Sequence, residues 1–231
     1  MVDFEVWIRT HDSRLDAAFQ LKERVRRLLS RNVHVICTGG ADAMYSQRFI
    51  LGLDAELARG PGCEYILVLE DDILFVDDAR DVITTAIRRE LPHTWLTLPN
   101  RASYEKSLPL SGPFRALRLA NHFYYSGAVL SRRELLAQFV FEYMLDHVNH
   151  TAPNFDVHFS AFLARSNDGI LVLAPGKFGS DPSIPSSISK NANNAHVLRS
   201  PACISIDPEF PLRRSTPSDL DMHSAQIQNA T

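Results

Sequence analysis

Short hydrophobic runs alternate with longer amphipathic stretches through the first part of the chain. The runs 4–9, 33–38 and 65–69 are rich in β-branched and aromatic residues, which favours strands. Between them, apolar residues recur at helical spacing over 15–30 and 46–58. Strands joined by helices through right-handed crossovers build a parallel sheet, so this pattern predicts a Rossmann-like, nucleotide-binding half.

The third of these runs shows no polar alternation and ends in three consecutive carboxylates. The run from Ile66 to Leu69 is typical of a strand that is covered on both faces. Glu70, Asp71 and Asp72 follow at once, and ligands of open α/β sheets bind at the carboxyl ends of the strands. Adjacent anions repel one another unless a cation lies among them. The motif therefore predicts a divalent metal with oxygen ligands and a phosphorylated substrate.

The second half of the chain adds elements of both kinds. Its patterns predict helices over 78–91, 132–147 and 155–165, and strands over 95–98 and 170–174. These elements complete one α/β domain with a mostly parallel central sheet flanked by helices.

Two other segments lack such a pattern. The segment 99–118 mixes Pro, Ser, Gly and basic residues and is longer than most connections, which is typical of an active-site loop or an acceptor-binding insertion. From Gly176 onward the chain is rich in Ser, Pro and Asn, and we expect an irregular tail. The predicted domain covers 1–204, followed by an irregular or mobile extension over 205–231.

Composition narrows the class of protein. The chain has 231 residues, of which 45% are hydrophobic and 22% charged, which suits one domain with a substantial core. A formal net charge of −3 gives no global basic field for nucleic acid or membranes, although a local basic groove is compatible with it. We see no basic leader and no run long enough to span a bilayer, which predicts a cytoplasmic protein.

Several site types lack their sequence signals. Neither G-x-G-x-x-G nor G-x-x-x-x-G-K-[ST] occurs, so a dinucleotide fingerprint and a P-loop are not supported. Cys37, Cys63 and Cys203 are odd in number and far apart, which argues against a disulfide framework or a structural zinc site. We expect them to be buried and inert.

The order of these features, and two segments within it, resemble the GT-A fold of nucleotide-sugar-dependent glycosyltransferases. The segment 67–75, LVLEDDILF, resembles the DxD-type motif of the lipopolysaccharide glycosyltransferase and procollagen galactosyltransferase group. The segment 125–131, YSGAVLS, is similar to one that such enzymes place near donor and acceptor. The resemblance covers 4–174 by order of elements. It implies a nucleotide-sugar donor, with UDP favoured, and Mn²⁺ or Mg²⁺ as cofactor.

The resemblance also implies roles for single residues. By likeness to DxD enzymes, Asp72 binds the metal directly, Asp71 assists, and Glu70 faces the ribose. Asp156 is the candidate general base for inverting transfer, although a carboxylate in the first turn of a helix also complements the helix dipole. His196 is the candidate C-terminal metal ligand.

Further candidates for nucleotide binding follow the first two strands. Those placed to hold the base, ribose or phosphates are Arg9, Thr10, His11, Arg14, Asp42 and Arg48. Arginine offers a fixed fork of donors that suits phosphate. Each of these residues taken alone is equally compatible with an ordinary surface position.

Three function classes stay open at this point. The first is a metal-dependent glycosyltransferase whose acceptor is a glycan, a protein side chain or a hydroxylated nucleobase. The second is a metal-dependent nucleotidyltransferase or phosphohydrolase, which uses similar carboxylates. The third is a nucleotide-binding module without catalysis.

Overall fold

The computed structural model describes residues 2–40, 45–97, 105–118, 127–146, 155–166 and 170–181. Nine strands form one sheet: β1 (Glu5–Thr10), β2 (Val33–Cys37), β3 (Tyr65–Glu70), β4 (Ile73–Phe75), β5 (His93–Thr97), β6 (Leu108–Pro109), β7 (Arg115–Arg118), β8 (Ala128–Arg132) and β9 (Ile170–Ser180). The α-helices are α1 (Leu15–Leu28), α2 (Tyr45–Ala58), α3 (Ala79–Arg88), α4 (Arg133–Asp146) and α5 (Phe155–Ser166).

The strand order is β2-β1-β3-β8-β5-β9-β7-β6, and β4 pairs with β9 beside this path. Strand β1 is parallel to β2 and β3, and β5 is parallel to β9. Strand β8 is antiparallel to both of its neighbours, β3 and β5, and β7 and β4 run antiparallel to β9. Most strands thus point one way, and the predicted α/β class with a mostly parallel sheet is confirmed.

Strand β1 shows why the buried runs lack polar alternation. Val6 and Ile8 belong to one hydrophobic cluster, with side chains of α1 and α3, whereas Trp7 belongs to a second, with side chains of α2, α4 and α5. Because successive side chains point to opposite faces, each of these three consecutive positions meets an apolar surface. The helices therefore cover both faces of the sheet.

Aromatic rings fix the position of α5 in the second cluster. The ring of Phe139 lies 4.9 Å from that of Phe159 and 5.7 Å from that of Phe155, and Phe155 lies 5.1 Å from Phe49. Such edge-to-face pairs add to the energy of area burial alone. They hold the first residue of α5 against α2.

The structure corrects the predictions for the less regular segments. Part of 99–118, expected to be irregular, forms β6 and β7, which pair with each other. Strand β9 continues to Ser180, past the predicted end at 174, and its last residues pair with β4, which was not predicted. The strands β4 and β6 and the last residues of β9 are too short or too polar to show a strand pattern in the sequence. They form because they pair with neighbouring strands.

Two further expectations concern exposure and membranes. Cys37 is exposed and Cys63 is partly buried, so the prediction of buried thiols is wrong for these two cysteines. Within the described ranges, we find no helix with the length and apolar character needed to cross a bilayer. The predicted extension over 205–231 lies outside the described residues.

His93 is fully buried in β5 and binds the backbone of β9. The backbone N–H of Val172 donates to His93 Nε2 at 3.3 Å, and no hydrogen-bond partner for Nδ1 lies among the described residues. A nitrogen that accepts cannot also carry a proton, so the ring is neutral. Burial lowers the pKa of His93 from 6.5 to about 4.

Acid should destabilise the protein through His93. Between pH 6.5 and about 4, the unfolded chain binds a proton at this ring and the folded protein does not, so the free energy of unfolding falls as pH falls. We expect this histidine to account for a loss of about 3 kcal/mol across that interval. Urea denaturation at several pH values checks this, with His93→Leu losing that part of the slope. An equal slope in both proteins contradicts the assignment.

Candidate functional site

The carboxyl ends of β1, β2 and β3 meet at one edge of the sheet. In the strand register, Arg9 lies opposite Glu70 of β3, and Thr10 lies opposite Cys37 of β2. Strand β3 ends at Glu70, so Asp71 and Asp72 lie just beyond it. The acidic motif and the residues that leave β1 are therefore neighbours, as the parallel sheet led us to expect.

Asp71 is held in place through both carboxylate oxygens. The hydroxyl of Thr10 donates to Oδ2 at 2.6 Å, and Nη2 of Arg14 lies 2.8 Å from Oδ1. Burial raises the pKa of Asp71, opposed by the Thr10 hydrogen bond and the charge of Arg14. Asp71 is thus a fixed, buried anion whose oxygens already have partners.

Asp72 differs from Asp71 in one oxygen. Its Oδ2 lies 3.2 Å from Nη2 of Arg14, whereas its Oδ1 is buried without a hydrogen-bond partner among the described residues. The residue is only 7% exposed, so water reaches it poorly. A buried carboxylate oxygen without a donor is costly unless a ligand binds it. A hard divalent cation, which prefers carboxylate oxygen, fits this position.

Arg14 is the cation next to both carboxylates. It closes a short 3-10 turn, Asp12–Arg14, and its backbone N–H donates to the carbonyl of His11 at 2.9 Å. Its Nε and Nη2 are both buried, and neither has a hydrogen-bond partner in the described part of the chain, although Nη2 lies within ion-pair distance of both carboxylates. The guanidinium therefore meets the acidic pair by charge and leaves both of these donors without an acceptor.

Glu70 and Arg9 form a buried ion pair beside this group. The guanidinium carbon of Arg9 also lies 5.2 Å from the ring centre of Phe49 and 5.9 Å from that of Phe155. Cation–π contacts of this kind stabilise a desolvated arginine. The pair links the acidic motif to α2 and to the first residue of α5.

His11 is buried next to Arg14. Its Nδ1 lies 2.9 Å from Oγ of Ser13, and burial lowers its pKa, so the ring is neutral at pH 7. The predicted nucleotide-binding residues of the β1 end thus fall into two neighbouring polar groups. One is the pair Arg9 and Glu70, and the other consists of Thr10, His11, Arg14, Asp71 and Asp72.

Arg48 of α2 shapes the loop that follows β2. Its Nε donates to the carbonyl of Thr38, and its Nη2 donates to the carbonyl of Gly40 at 2.5 Å. Gly39 between them has a φ of +75°, which favours glycine, and its carbonyl accepts the N–H of Asp12. Arg48 thus holds the β2 loop against the turn that carries Arg14.

The remaining predicted site residues are placed in part or not at all. Asp156 is the second residue of α5 and directly follows Phe155, whose ring centre lies 5.9 Å from the guanidinium carbon of Arg9. Its side chain, and all of Asp42 and His196, lie outside what the structure describes. Within the described ranges, no three His, Cys, Asp or Glu residues form a metal-binding group.

One neighbour of the acidic motif was missed from the sequence. The backbone N–H of Asp181, just after β9, donates to the carbonyl of Asp72 at 2.7 Å. The segment Gly179-Ser180-Asp181 has no pattern that predicts a strand end at this site. The pairing of β9 with β4 brings it there.

Comparisons with known proteins give no family. No family model matches the chain, and no curated protein is similar to it. Among solved structures, one from Bacillus anthracis, described as a glucose-1-phosphate thymidylyltransferase in complex with a sucrose, has a TM-score of 0.45 at 11% identity, over 77% of this chain and 89% of that one. Mouse xyloside xylosyltransferase 1 has a TM-score of 0.39 at 14% identity, over 73% and 83%. Similarity at this level does not indicate which reaction the chain carries out.

Proposed function

We propose that the protein is a metal-dependent glycosyltransferase that moves a sugar from a nucleoside diphosphate sugar, with UDP favoured, to an acceptor hydroxyl. The observation that carries the proposal is Oδ1 of Asp72, which is buried at the carboxyl ends of the parallel strands and has no hydrogen-bond partner among the residues that the structure describes. That edge of an α/β sheet binds ligands, and a carboxylate oxygen there suits Mn²⁺ or Mg²⁺.

Asp72 would hold the metal directly. A divalent ion on a diphosphate supplies Lewis-acid stabilisation of the charge that develops on the leaving oxygen. Asp71, whose Oδ2 accepts the hydroxyl of Thr10, adds negative charge beside Asp72. This division assigns direct metal binding to Asp72 and an assisting role to Asp71.

Asp156 is the proposed general base. Its place in the first turn of α5 supports this role, because it follows Phe155, whose ring centre lies 5.9 Å from the guanidinium carbon of Arg9. In inverting transfer, the acceptor hydroxyl attacks the anomeric carbon opposite the departing diphosphate, and its proton passes to the carboxylate. Glu70, with Arg9, would border the ribose.

The proposal specifies the acceptor only as a molecule that carries a hydroxyl group. A glycan, a protein side chain and a hydroxylated nucleobase all offer the hydroxyl that the reaction needs. Within the segment 99–118, Arg115 donates to Oγ and to the carbonyl of Ser107, both at 2.6 Å. These hydrogen bonds hold that segment in shape. The donor is accordingly the substrate to establish first.

Thermal denaturation with UDP and Mn²⁺ tests the proposed function. Ligand at a hundredfold excess over its Kd adds about 2.7 kcal/mol, so we expect the melting temperature to rise by about 5 °C or more with both present. Addition of EDTA should reverse the rise. The proposal is contradicted if none of the common nucleotide sugars raises the melting temperature in the presence of metal.

Turnover separates the proposed reaction from its alternatives. Slow hydrolysis of a UDP-sugar to UDP and free sugar, without any acceptor, is the expected side reaction of a glycosyltransferase. A nucleotidyltransferase releases pyrophosphate from a nucleoside triphosphate, and a phosphohydrolase releases inorganic phosphate. A module without catalysis binds the nucleotide and leaves it intact.

A further inference from the structure

Unsatisfied polar atoms of opposite kind lie together at the end of β3. Oδ1 of Asp72 is a buried acceptor without a donor, and Nε and Nη2 of Arg14 are buried donors without a hydrogen-bond acceptor, counting the described residues. The two residues are in contact, because Nη2 of Arg14 lies 3.2 Å from Oδ2 of Asp72. A cation would satisfy the first group and an anion the second.

Arg14 also competes with any cation for the acidic pair. Its Nη2 lies 2.8 Å from Asp71 and 3.2 Å from Asp72, where its positive charge already offsets the two carboxylates. A divalent ion that binds Asp72 alone must approach this guanidinium in a poorly solvated place, where like charges repel strongly. The free metal is therefore opposed by Arg14.

A nucleoside diphosphate removes this opposition. Its phosphate oxygens offer acceptors to Nε and Nη2, which together form one edge of the guanidinium fork. When Arg14 turns to the phosphates, its hold on Asp71 and Asp72 weakens, and the carboxylates can face the metal that accompanies the diphosphate. The 3-10 turn anchors the backbone of Arg14 through His11 while the side chain moves.

We propose that Arg14 makes the site selective for a divalent cation together with a nucleoside diphosphate, and excludes the cation alone. The inference rests on the proposed function of the site. It adds that Arg14 decides whether the metal binds alone or together with a diphosphate. Its thermodynamic consequence is positive coupling, in which UDP raises the affinity for Mn²⁺ and Mn²⁺ raises the affinity for UDP by the same factor.

Metal binding to the wild type and to Arg14→Met tests the inference. Electron paramagnetic resonance of free Mn²⁺ gives the affinity with and without saturating UDP. In the wild type, we expect UDP to tighten Mn²⁺ binding at least about tenfold. In Arg14→Met, Mn²⁺ alone should bind at least about tenfold more tightly than in the wild type, and UDP should add little.

Arg26→Met is the matched control, because Arg26 lies on α1, is exposed, and contacts Glu23 on the surface. It should behave as the wild type. Arg14→Gln, which is neutral but keeps a hydrogen-bond donor, is the second variant and should also bind Mn²⁺ alone more tightly. A purely structural Arg14 would lower the melting temperature of both variants without tightening Mn²⁺ binding.

The outcomes distinguish this inference from the proposed function. If the wild type binds Mn²⁺ with UDP and the Arg14 variants bind Mn²⁺ no more tightly, the role of Arg14 is overturned and the proposed function stands. If the wild type binds neither UDP nor Mn²⁺, the proposed function itself fails.

Discussion

Asp72→Asn is expected to abolish the stabilisation by UDP with Mn²⁺ and to reduce UDP-sugar hydrolysis by at least about a hundredfold. An amide oxygen has no charge to offer the metal, and the interaction of a metal with a developing phosphate charge is worth several kcal/mol. The substitution keeps the shape of the side chain, so the fold should persist. Thermal denaturation and UDP release measure the two effects.

Asp77→Asn is the control for this prediction. It makes the same chemical change nearby, on a carboxylate that is 86% exposed and lies 4.0 Å from Arg24. It should leave nucleotide binding and hydrolysis as in the wild type. If Asp72→Asn keeps the full thermal shift, Asp72 is not the metal ligand, and the role assigned to its buried oxygen is wrong.

Arg9→Met should destabilise the protein by about 3 kcal/mol. The substitution leaves the Glu70 carboxylate largely buried without its partner, and breaking one side of a buried ion pair is costly. It also removes the cation from the rings of Phe49 and Phe155. Denaturation by guanidinium chloride measures the change in the free energy of unfolding.

Two further variants separate charge from packing in this prediction. Adding Glu70→Gln to Arg9→Met removes the stranded charge and should recover a large part of the loss. Arg26→Met removes an ion pair that is exposed on both sides, 3.5 Å from Glu23, and should cost less than about 1 kcal/mol. Equal losses for Arg9→Met and Arg26→Met would show that burial does not strengthen the Arg9–Glu70 pair.

The regular part of the fold could be predicted because its signals are local. Strands β1 and β3 have apolar residues at consecutive positions, over 6–8 and 65–69, since both of their faces are covered, and this marks them as central. The position of Asp71 and Asp72 then follows from where β3 ends. The sheet edge and the acidic motif on it were therefore accessible from the sequence.

The partners within the site could not be predicted in this way. That Thr10 donates to Asp71, and that Arg14 reaches both carboxylates, depends on the turn Asp12–Arg14 and on how side chains orient around it. Arg48 appeared equally suited to phosphate, yet it binds the carbonyls of Thr38 and Gly40. The sequence around Arg48, the fourth residue of α2, would be the same in either role.

The hydrogen bond from Asp181 to Asp72 has a consequence for how the protein folds. The acidic motif is synthesised early, whereas β9, which flanks it and pairs with β4, is synthesised much later. Contacts between such distant segments form slowly, because a long loop must close first. On the ribosome, β1, β2 and β3 emerge before β9, so the motif gains this neighbour, and the site becomes complete, only after β9 has emerged.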